Sequence, residues 1–266
     1  MTKNTGIYEN LLFEEKDGVG YLTINRPKSL NALNSDTLAE IGQCLDYVKA
    51  NEKDIKVLVI TGAGEKAFVA GADISQMQSM NSLEAANLSR LAHESFGKIE
   101  KLSQITIAKV NGYALGGGLE LSASCDIRIG STKAKFGQPE VTLGIVPGFG
   151  GTQRLTRLVG RGKAKEMIAT GQMIDAEEAH RVGILEEIVS PEQLDTEVDK
   201  ITHTIMKNGL IAVSMAKNVI DDGADLPLDV AIDFETQMWA QTFATSDQKE
   251  GMKAFLEKRH PDFANN

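Results

Sequence analysis

Two short runs rich in apolar, β-branched and aromatic residues, 11–14 and 19–24, flank Lys16-Asp17-Gly18, and an Asp-Gly pair between such runs predicts a hairpin. Asn25-Arg26-Pro27 stops the second strand. Ser35 offers an N-cap, and Leu38, Ile41, Leu45 and Val48 recur at helical spacing, which predicts an amphipathic helix from Ser35 to about Ala50. An apolar strand over 56–61, a loop of small residues and a helix over about 82–101 repeat the theme. A third strand from Ile105 ends at the turn signal Asn111-Gly112 and leads through Gly116, Gly117 and Gly118 into a helical pattern at Leu119. Residues 126–130 read as a further strand and 152–169 as a helix, and Asp175 with Glu178 fits a capping box that opens another. Recurring strand, strand and helix exclude an all-α or all-β fold, and periodicity by itself points to a doubly wound α/β sheet.

The pattern changes after Ser190. Ser190 as N-cap, Pro191 at the first helical position and Gln193 in the capping-box place start a helix that carries Leu194, Val198, Ile201 and Ile205. A second helix carries Val213, Ala216 and Ile220. The third has two apolar stripes, Leu228, Ala231, Phe234 and Met238 on one and Ile232, Trp239 and Phe243 on the other. Two stripes exceed a single contact, so the helix is buried either between subunits or between two elements of its own chain. Ser246 begins the last helix. The chain is thus expected to divide into a catalytic α/β core over 1–190 and a helical region over 191–266.

Size and charge narrow the function. The 266 residues, 42% hydrophobic, suit an ordinary globular protein with a large core. A formal charge of −9, from 37 acidic against 28 basic residues, repels phosphate backbones and acidic lipid, so no nucleic acid and no membrane is expected as partner. No apolar run reaches the ~20 residues of a spanning helix, and Met1-Thr2-Lys3-Asn4 does not open a signal peptide, so a cytoplasmic location is expected. Cys44 and Cys125 sit among apolar neighbours and are expected as buried, inert thiols. His93, His180, His203 and His260 show no metal-ligand spacing, so no metal site is expected.

The candidate chemistry lies in NGYALGGGLELS, residues 111–122. A strand, a bare glycine turn and a helix start leave backbone N–H groups that no intrahelical acceptor uses, with Glu120 beside them in the first turn. The glycines lack the spacing of a nucleotide-binding loop. A second small-residue loop, Ala70-Gly71-Ala72, follows the strand at 57–60, so two such loops are placed to aim one N–H apiece at a single point. Glu140, held after Pro139, supplies a second carboxylate, and two carboxylates around one water take a proton and deliver one. Gln138 fits either orientation of a carboxylate or a structural hydrogen bond. Arg154, Arg157, Arg161, Lys163 and Lys165 form a basic cluster that reads first as a solvated helix face.

NRPKSLNAL, AFVAGADI, NGYALGGGLEL, CDIRI, FGQPEVTLGIVPGFGGTQRL and the final AFLEKR stand in the order and character of the crotonase superfamily. The chain resembles its short-chain enoyl-CoA hydratases over nearly its whole length. That resemblance implies the α/β crotonase fold, a spiral of ββα turns, in place of the doubly wound sheet, with a C-terminal helical region that forms trimers, commonly paired into hexamers. It implies that the N–H groups of Ala72 and Gly117 bind the thioester oxygen of an acyl-CoA. Glu140 is implied as proton donor to the α carbon and Glu120 as the group that holds and activates water; the pair is assigned more firmly than its division of labour. By the same resemblance CoA lies along Ala32, Leu33, Ala70, Asp73 and Ile74, and Phe255 and Lys258 reach the CoA of a neighbouring subunit. Asp73 as a helix cap and Lys258 as a complement to a helix dipole are the plain structural alternatives. CoA belongs to the substrate, so no separate cofactor is expected. The implied reaction is reversible hydration of a short-chain trans-2-enoyl-CoA. A Δ3-Δ2 enoyl-CoA isomerase and a non-catalytic CoA- or RNA-binding protein are the rivals.

Overall fold

A computed structural model describes residues 3–4 and 8–266 and resolves the chain into two compact units. The larger extends to Leu102 and over Thr106–Val198; the smaller holds Ser103–Ile105 and Asp199–Asn266. In the larger unit, β1 (Lys3–Asn4), β2 (Leu11–Lys16) and β3 (Val19–Ile24) precede α1 (Ser35–Ala50). Asp17 and Gly18, both at positive φ (51° and 83°), make the tight turn between β2 and β3. Then come β4 (Val57–Gly62), β5 (Ala67–Val69), the single turn α2 (Ile74–Met77) and α3 (Ser82–Glu100). The next turn of chain is β6 (Ile105–Val110), β7 (Tyr113–Leu115) and α4 (Gly117–Ala123). It is followed by β8 (Ile127–Ser131), β9 (Lys135–Gly137), α5 (Gly151–Thr170), β10 (Ile174–Asp175), α6 (Ala176–Arg181) and β11 (Glu187–Val189).

From β4 onward each repeat sends its longer strand to one sheet and its shorter strand to another, whereas β2 and β3 both lie in the first. The seven-stranded sheet runs β1-β2-β3-β4-β6-β8-β11 and the four-stranded sheet β10-β9-β7-β5. A single doubly wound sheet is therefore excluded. Periodicity misses this because β5, β7 and β9 are three residues each, too short to show an alternation. In the large sheet β3 pairs with β4, and β6 and β11 with β8, all in parallel. In the small sheet β5 and β9 both pair in parallel with β7, with Val69 opposite Ala114 and Leu115 opposite Gly137. Those three C-terminal strand ends place the site.

The core is built from the apolar positions of the predicted helices. Leu38, Ile41, Leu45 and Val48 of α1 are all buried, as are Leu88, Phe96 and Ile99 of α3. Cys44 and Cys125 are buried and form no disulfide, and burial pushes the Cys44 thiol up to about 12.

Several helix ends differ from their sequence reading. Asn34, one residue before Ser35, caps α1 by accepting from the Thr37 amide, while the Ser35 hydroxyl accepts from Gln76. Asp175 does cap α6, yet Glu178 turns away from the expected box to pair with Arg181 and Lys163. Ser190 precedes a 3-10 turn, Pro191–Gln193, without capping it. A neighbouring side chain at Ser35 and charged partners at Glu178 outcompete the local pattern.

The smaller unit is helical: after α7 (Leu194–Met206), which begins in the larger unit, come α8 (Leu210–Gly223), α9 (Leu228–Thr242) and α10 (Ser246–Glu257). Buried Asp247 ties the chain end to α10, accepting from the amides of Ala264 and Asn265. The Ile232, Trp239 and Phe243 stripe of α9 is solvent-facing in the single chain, with Trp239 64% exposed, while Ala231, Phe234 and Met238 of the other stripe are half-buried and only Leu228, 76% exposed, stands out. Among the described residues no helix is long and apolar enough to cross a membrane.

Candidate active site

The small sheet gathers the expected site residues. Ala70, Gly71 and Ala72 follow β5, Gly116 and Gly117 follow β7, and Gln138, Pro139 and Glu140 follow β9, so parallel pairing delivers all three segments to one end. The Gly116 amide donates to the Gly137 carbonyl at 2.9 Å, which ties the second segment to the third. Residues 70–73 are stitched in turn to the N-terminal loop: Ala70 N–H to Leu30 O (3.1 Å), Leu33 N–H to Gly71 O (2.9 Å) and Asp73 N–H to Leu33 O (2.8 Å). That pattern skips Ala72 N–H. Among the described residues neither Ala72 N–H nor Gly117 N–H meets a protein acceptor, Gly117 being the first residue of α4.

Three successive glycines have three separate reasons. Gly116 adopts φ 49°, and a methyl there would sit 2.8 Å from Glu140 Oε1. At Gly117 the methyl would lie 3.1 Å from the Phe149 ring and 3.5 Å from the Ala72 nitrogen. At Gly118 it would strike the Val69 carbonyl at 1.9 Å, because α4 packs directly on β5. The first two glycines open space for a ligand; the third lets the helix dock.

Glu120, in the first turn of α4, is 1% exposed. Its Oε1 accepts from the amides of Phe149 (2.9 Å) and Gly151 (2.6 Å). Among the described residues no donor meets Oε2 and no fully buried side-chain polar atom lacks a partner, so Oε2 is not fully occluded. Burial raises the Glu120 carboxyl to about 7; the Gly151 and Phe149 donors and the Arg154 charge oppose that rise, and the Glu140 charge adds to it. Glu140 stands in the 3-10 turn Pro139–Leu143, and burial pushes its carboxyl up as well. Its partner is Gln138, fully buried, whose amide nitrogen, in the orientation that satisfies both groups, donates to Glu140 Oε1 at 2.8 Å and Oε2 at 3.0 Å. The sequence left Gln138 undecided. The sign of its role is the Gln-Pro-Glu spacing, in which proline starts the turn that brings the two side chains together.

A cavity of about 540 Å³ joins these groups. Ala72, Gly117, Glu120 and Glu140 line it together with Ala70 and Ile74, and its remaining wall is almost wholly apolar, including Met77, Met80, Leu88 and Phe149. Arg154 also belongs here, contrary to its reading as part of a solvated face. It pairs with Glu100 through Nε (2.6 Å) and Nη2 (2.9 Å) and donates to the Phe149 carbonyl at 3.0 Å.

Of the expected CoA positions, Ala32 and Leu33 lie beside the 70–73 segment, with Leu33 bridged to Ala72. Asp73 caps α2 and pairs with Arg26 at 2.9 Å; the Ser75 hydroxyl first and Arg26 second hold its carboxyl below the usual carboxylate range. Arg26 also donates to the Ala32 carbonyl. Phe255 and Lys258 belong to the other unit, at the end of α10. Phe255 is 82% exposed, and Lys258 closes the helix in the left-handed region at φ 56°.

An apolar cavity with two unclaimed main-chain N–H groups, one buried carboxylate and one half-buried carboxylate can hold an acyl carbonyl oxygen beside water. Residues 14–266 match the family model described as enoyl-CoA hydratase/isomerase, and the chain belongs to that family. It is 48% identical over 250 residues to the short-chain-enoyl-CoA hydratase of Clostridium acetobutylicum, covering 94% of this chain and 95% of that protein. It is likewise 48% identical over 256 residues to the crotonyl-CoA hydratase of Syntrophomonas wolfei, covering 96% and 98%. Among solved structures, an enoyl-CoA hydratase from Bacillus anthracis superposes with a TM-score of 0.93 at 39% identity, covering 97% of this chain and all of that one (100%).

Proposed function

We propose that this protein is an enoyl-CoA hydratase that reversibly adds water to a short-chain trans-2-enoyl-CoA, giving the 3-hydroxyacyl-CoA. The observation that carries the reading is the meeting of Ala72, Gly117, Glu120 and Glu140 on one apolar cavity. In this mechanism the thioester oxygen accepts from Ala72 N–H and Gly117 N–H. Charge builds on that oxygen as the water oxygen bonds to the β carbon, so fixed donors stabilise the transition state more than the substrate. Glu120, whose ionised form is favoured by two backbone donors on one oxygen, takes a proton from the water. Glu140 delivers a proton to the α carbon, and Gln138 stabilises the carboxylate that remains. Dehydration runs the same path backwards. All of this needs no group beyond the protein and the CoA ester.

CoA would follow Ala32, Leu33, Ala70, Asp73 and Ile74, largely along their main chain, since the Asp73 carboxylate is engaged by Arg26 and Ser75. Phe255 and Lys258 would reach the CoA of a neighbouring subunit. The exposed apolar stripe of α9 supports self-association; the reading is a homotrimer or a dimer of trimers working in the cytoplasm, residues 1–190 carrying the chemistry and 191–266 the assembly.

Incubation with crotonyl-CoA, followed by the loss of the conjugated thioester absorbance, tests the reaction. Hydration to 3-hydroxybutyryl-CoA is expected. Turnover of 3-butenoyl-CoA to crotonyl-CoA without any hydration would assign an isomerase instead.

A further inference from the structure

The carboxylate of Glu120 is held by amides from a segment that has little stiffness of its own. Pro147-Gly148-Phe149-Gly150-Gly151 has glycine at three of its five positions, yet two of its N–H groups must point at one oxygen. The Gly151 N–H shares a peptide plane with the Gly150 carbonyl, which accepts from Gln153 N–H (2.9 Å) and Arg154 N–H (2.8 Å) in the first turn of α5. Helix α5 therefore fixes that plane. The Phe149 N–H shares its plane with the Gly148 carbonyl, and no helix bond holds it. What holds it is Ser89 of α3, whose Oγ donates to Gly148 O at 2.6 Å. Because a trans peptide is planar, its carbonyl and N–H point in opposite directions, so anchoring one aims the other.

We propose that Ser89 is a positioning residue for the water-handling carboxylate of Glu120, acting through the Gly148–Phe149 peptide whose N–H it aims. The proposal rests on the reading of Glu120 as the base. Ser89, Phe96 and Glu100 recur along α3 at i, i+7 and i+11, on one face of the helix. Phe96 meets the Phe149 ring edge to face at 6.2 Å, and Glu100 holds Arg154 on the Phe149 carbonyl. Ring and Arg154 fix residue 149 from one side; among the described residues the peptide before it is held by the Ser89 hydroxyl on its carbonyl and by the Glu120 carboxylate that its N–H serves. A methyl at Gly148 would meet nothing within 4 Å, so no side-chain packing at that residue braces the segment.

Losing this donor removes one hydrogen bond from the Glu120 carboxylate and favours its protonated form. The charged and titratable groups that face Glu120 are Glu140 from the 3-10 turn, Arg154 of α5 and, beyond Arg154, Glu100 and His93 of α3. All of these are unchanged in a serine variant. The test compares Ser89→Ala and Ser89→Thr with wild type in the pH profile of kcat, and in the titration of the Glu120 carboxyl by infrared difference against Glu120→Gln. Ser89→Ala should move both the acid limb and the carboxyl titration up by roughly half to one pH unit, the worth of about one net hydrogen bond. Ser89→Thr, which keeps the hydroxyl, should restore both. An unmoved titration in Ser89→Ala, a change in KM alone, or a Thr variant that behaves like Ala would overturn the proposal. A wild-type protein without hydratase turnover would defeat the proposed function, while the infrared titration would still decide the Ser89 contact.

Discussion

Gly117 and Ala72 approach so closely that a methyl group on Gly117 would lie 3.5 Å from the Ala72 amide nitrogen. In the proposed mechanism a thioester oxygen lies between these two N–H groups, where such a methyl would crowd it. Gly117→Ala should therefore fold, the Phe149 ring yielding a few tenths of an ångström, and lose a hundredfold or more in kcat, as expected when one donor of an oxyanion hole is blocked. Gly118→Ala differs, since its methyl would meet the Val69 carbonyl at 1.9 Å, against backbone that has nowhere to move. It should express as insoluble or unfolded protein. Circular dichroism with crotonyl-CoA kinetics separates the two: a fully active Gly117→Ala would remove the proposed hole.

Much of this site was legible because its chemistry is carried by residue types that have few other reasons to occur. Glycines before Glu120 and small residues before Asp73 mark loops where main chain meets ligand, and both loops line the cavity. What the sequence hid was the device that unites them. Strands of three residues show no period, so β5, β7 and β9, and with them the whole second sheet, were invisible to alternation. Arg154 was hidden differently. On α5 it is one cation among Arg157, Arg161, Lys163 and Lys165, and only the distant Glu100 and the Phe149 carbonyl show that it faces inward. Asn34 and Ser35 are both good caps, and the choice between them depended on Gln76, forty-one residues beyond Ser35.

Burying Glu120 should cost stability at high pH. Its carboxyl is raised to about 7, above the unfolded value of about 4.3, so the folded chain holds a proton that the unfolded chain has released. The stabilising contribution is complete below the unfolded value and is lost as pH rises through about 7. Glu120→Gln keeps an oxygen for the Phe149 and Gly151 amides but cannot ionise. At pH 8 it should be more stable than wild type by on the order of 2 kcal/mol, with the gap closing towards pH 4. Denaturant unfolding at the two pH values measures this; an equal gap at both would contradict the burial account. Turnover should meanwhile fall at least about a hundredfold.

The Gln138 amide is the only side-chain donor on Glu140 among the described residues, and it reaches both carboxylate oxygens. Gln138→Leu should therefore raise the Glu140 carboxyl further, because burial is then opposed only by the backbone N–H of Glu140 itself. The alkaline limb of kcat should shift to higher pH, and turnover at pH 7 should drop by about tenfold as Glu140 gives up its proton less readily. Stopped absorbance assays across pH 6 to 10 resolve the two effects. An unshifted alkaline limb would mean that Gln138 serves packing alone.

Glu140→Gln isolates chemistry from binding. The substitution preserves size and polarity, leaves Ala72 N–H and Gly117 N–H unclaimed, and removes only the proton that passes to the α carbon. A thioester should bind nearly as before, so the Kd for acetoacetyl-CoA by titration calorimetry should stay within about threefold, while hydratase turnover falls by at least about a hundredfold, the usual worth of a positioned acid. Near-normal turnover would take Glu140 out of the mechanism, and a large loss of acetoacetyl-CoA binding would show that it holds the ester rather than protonates it.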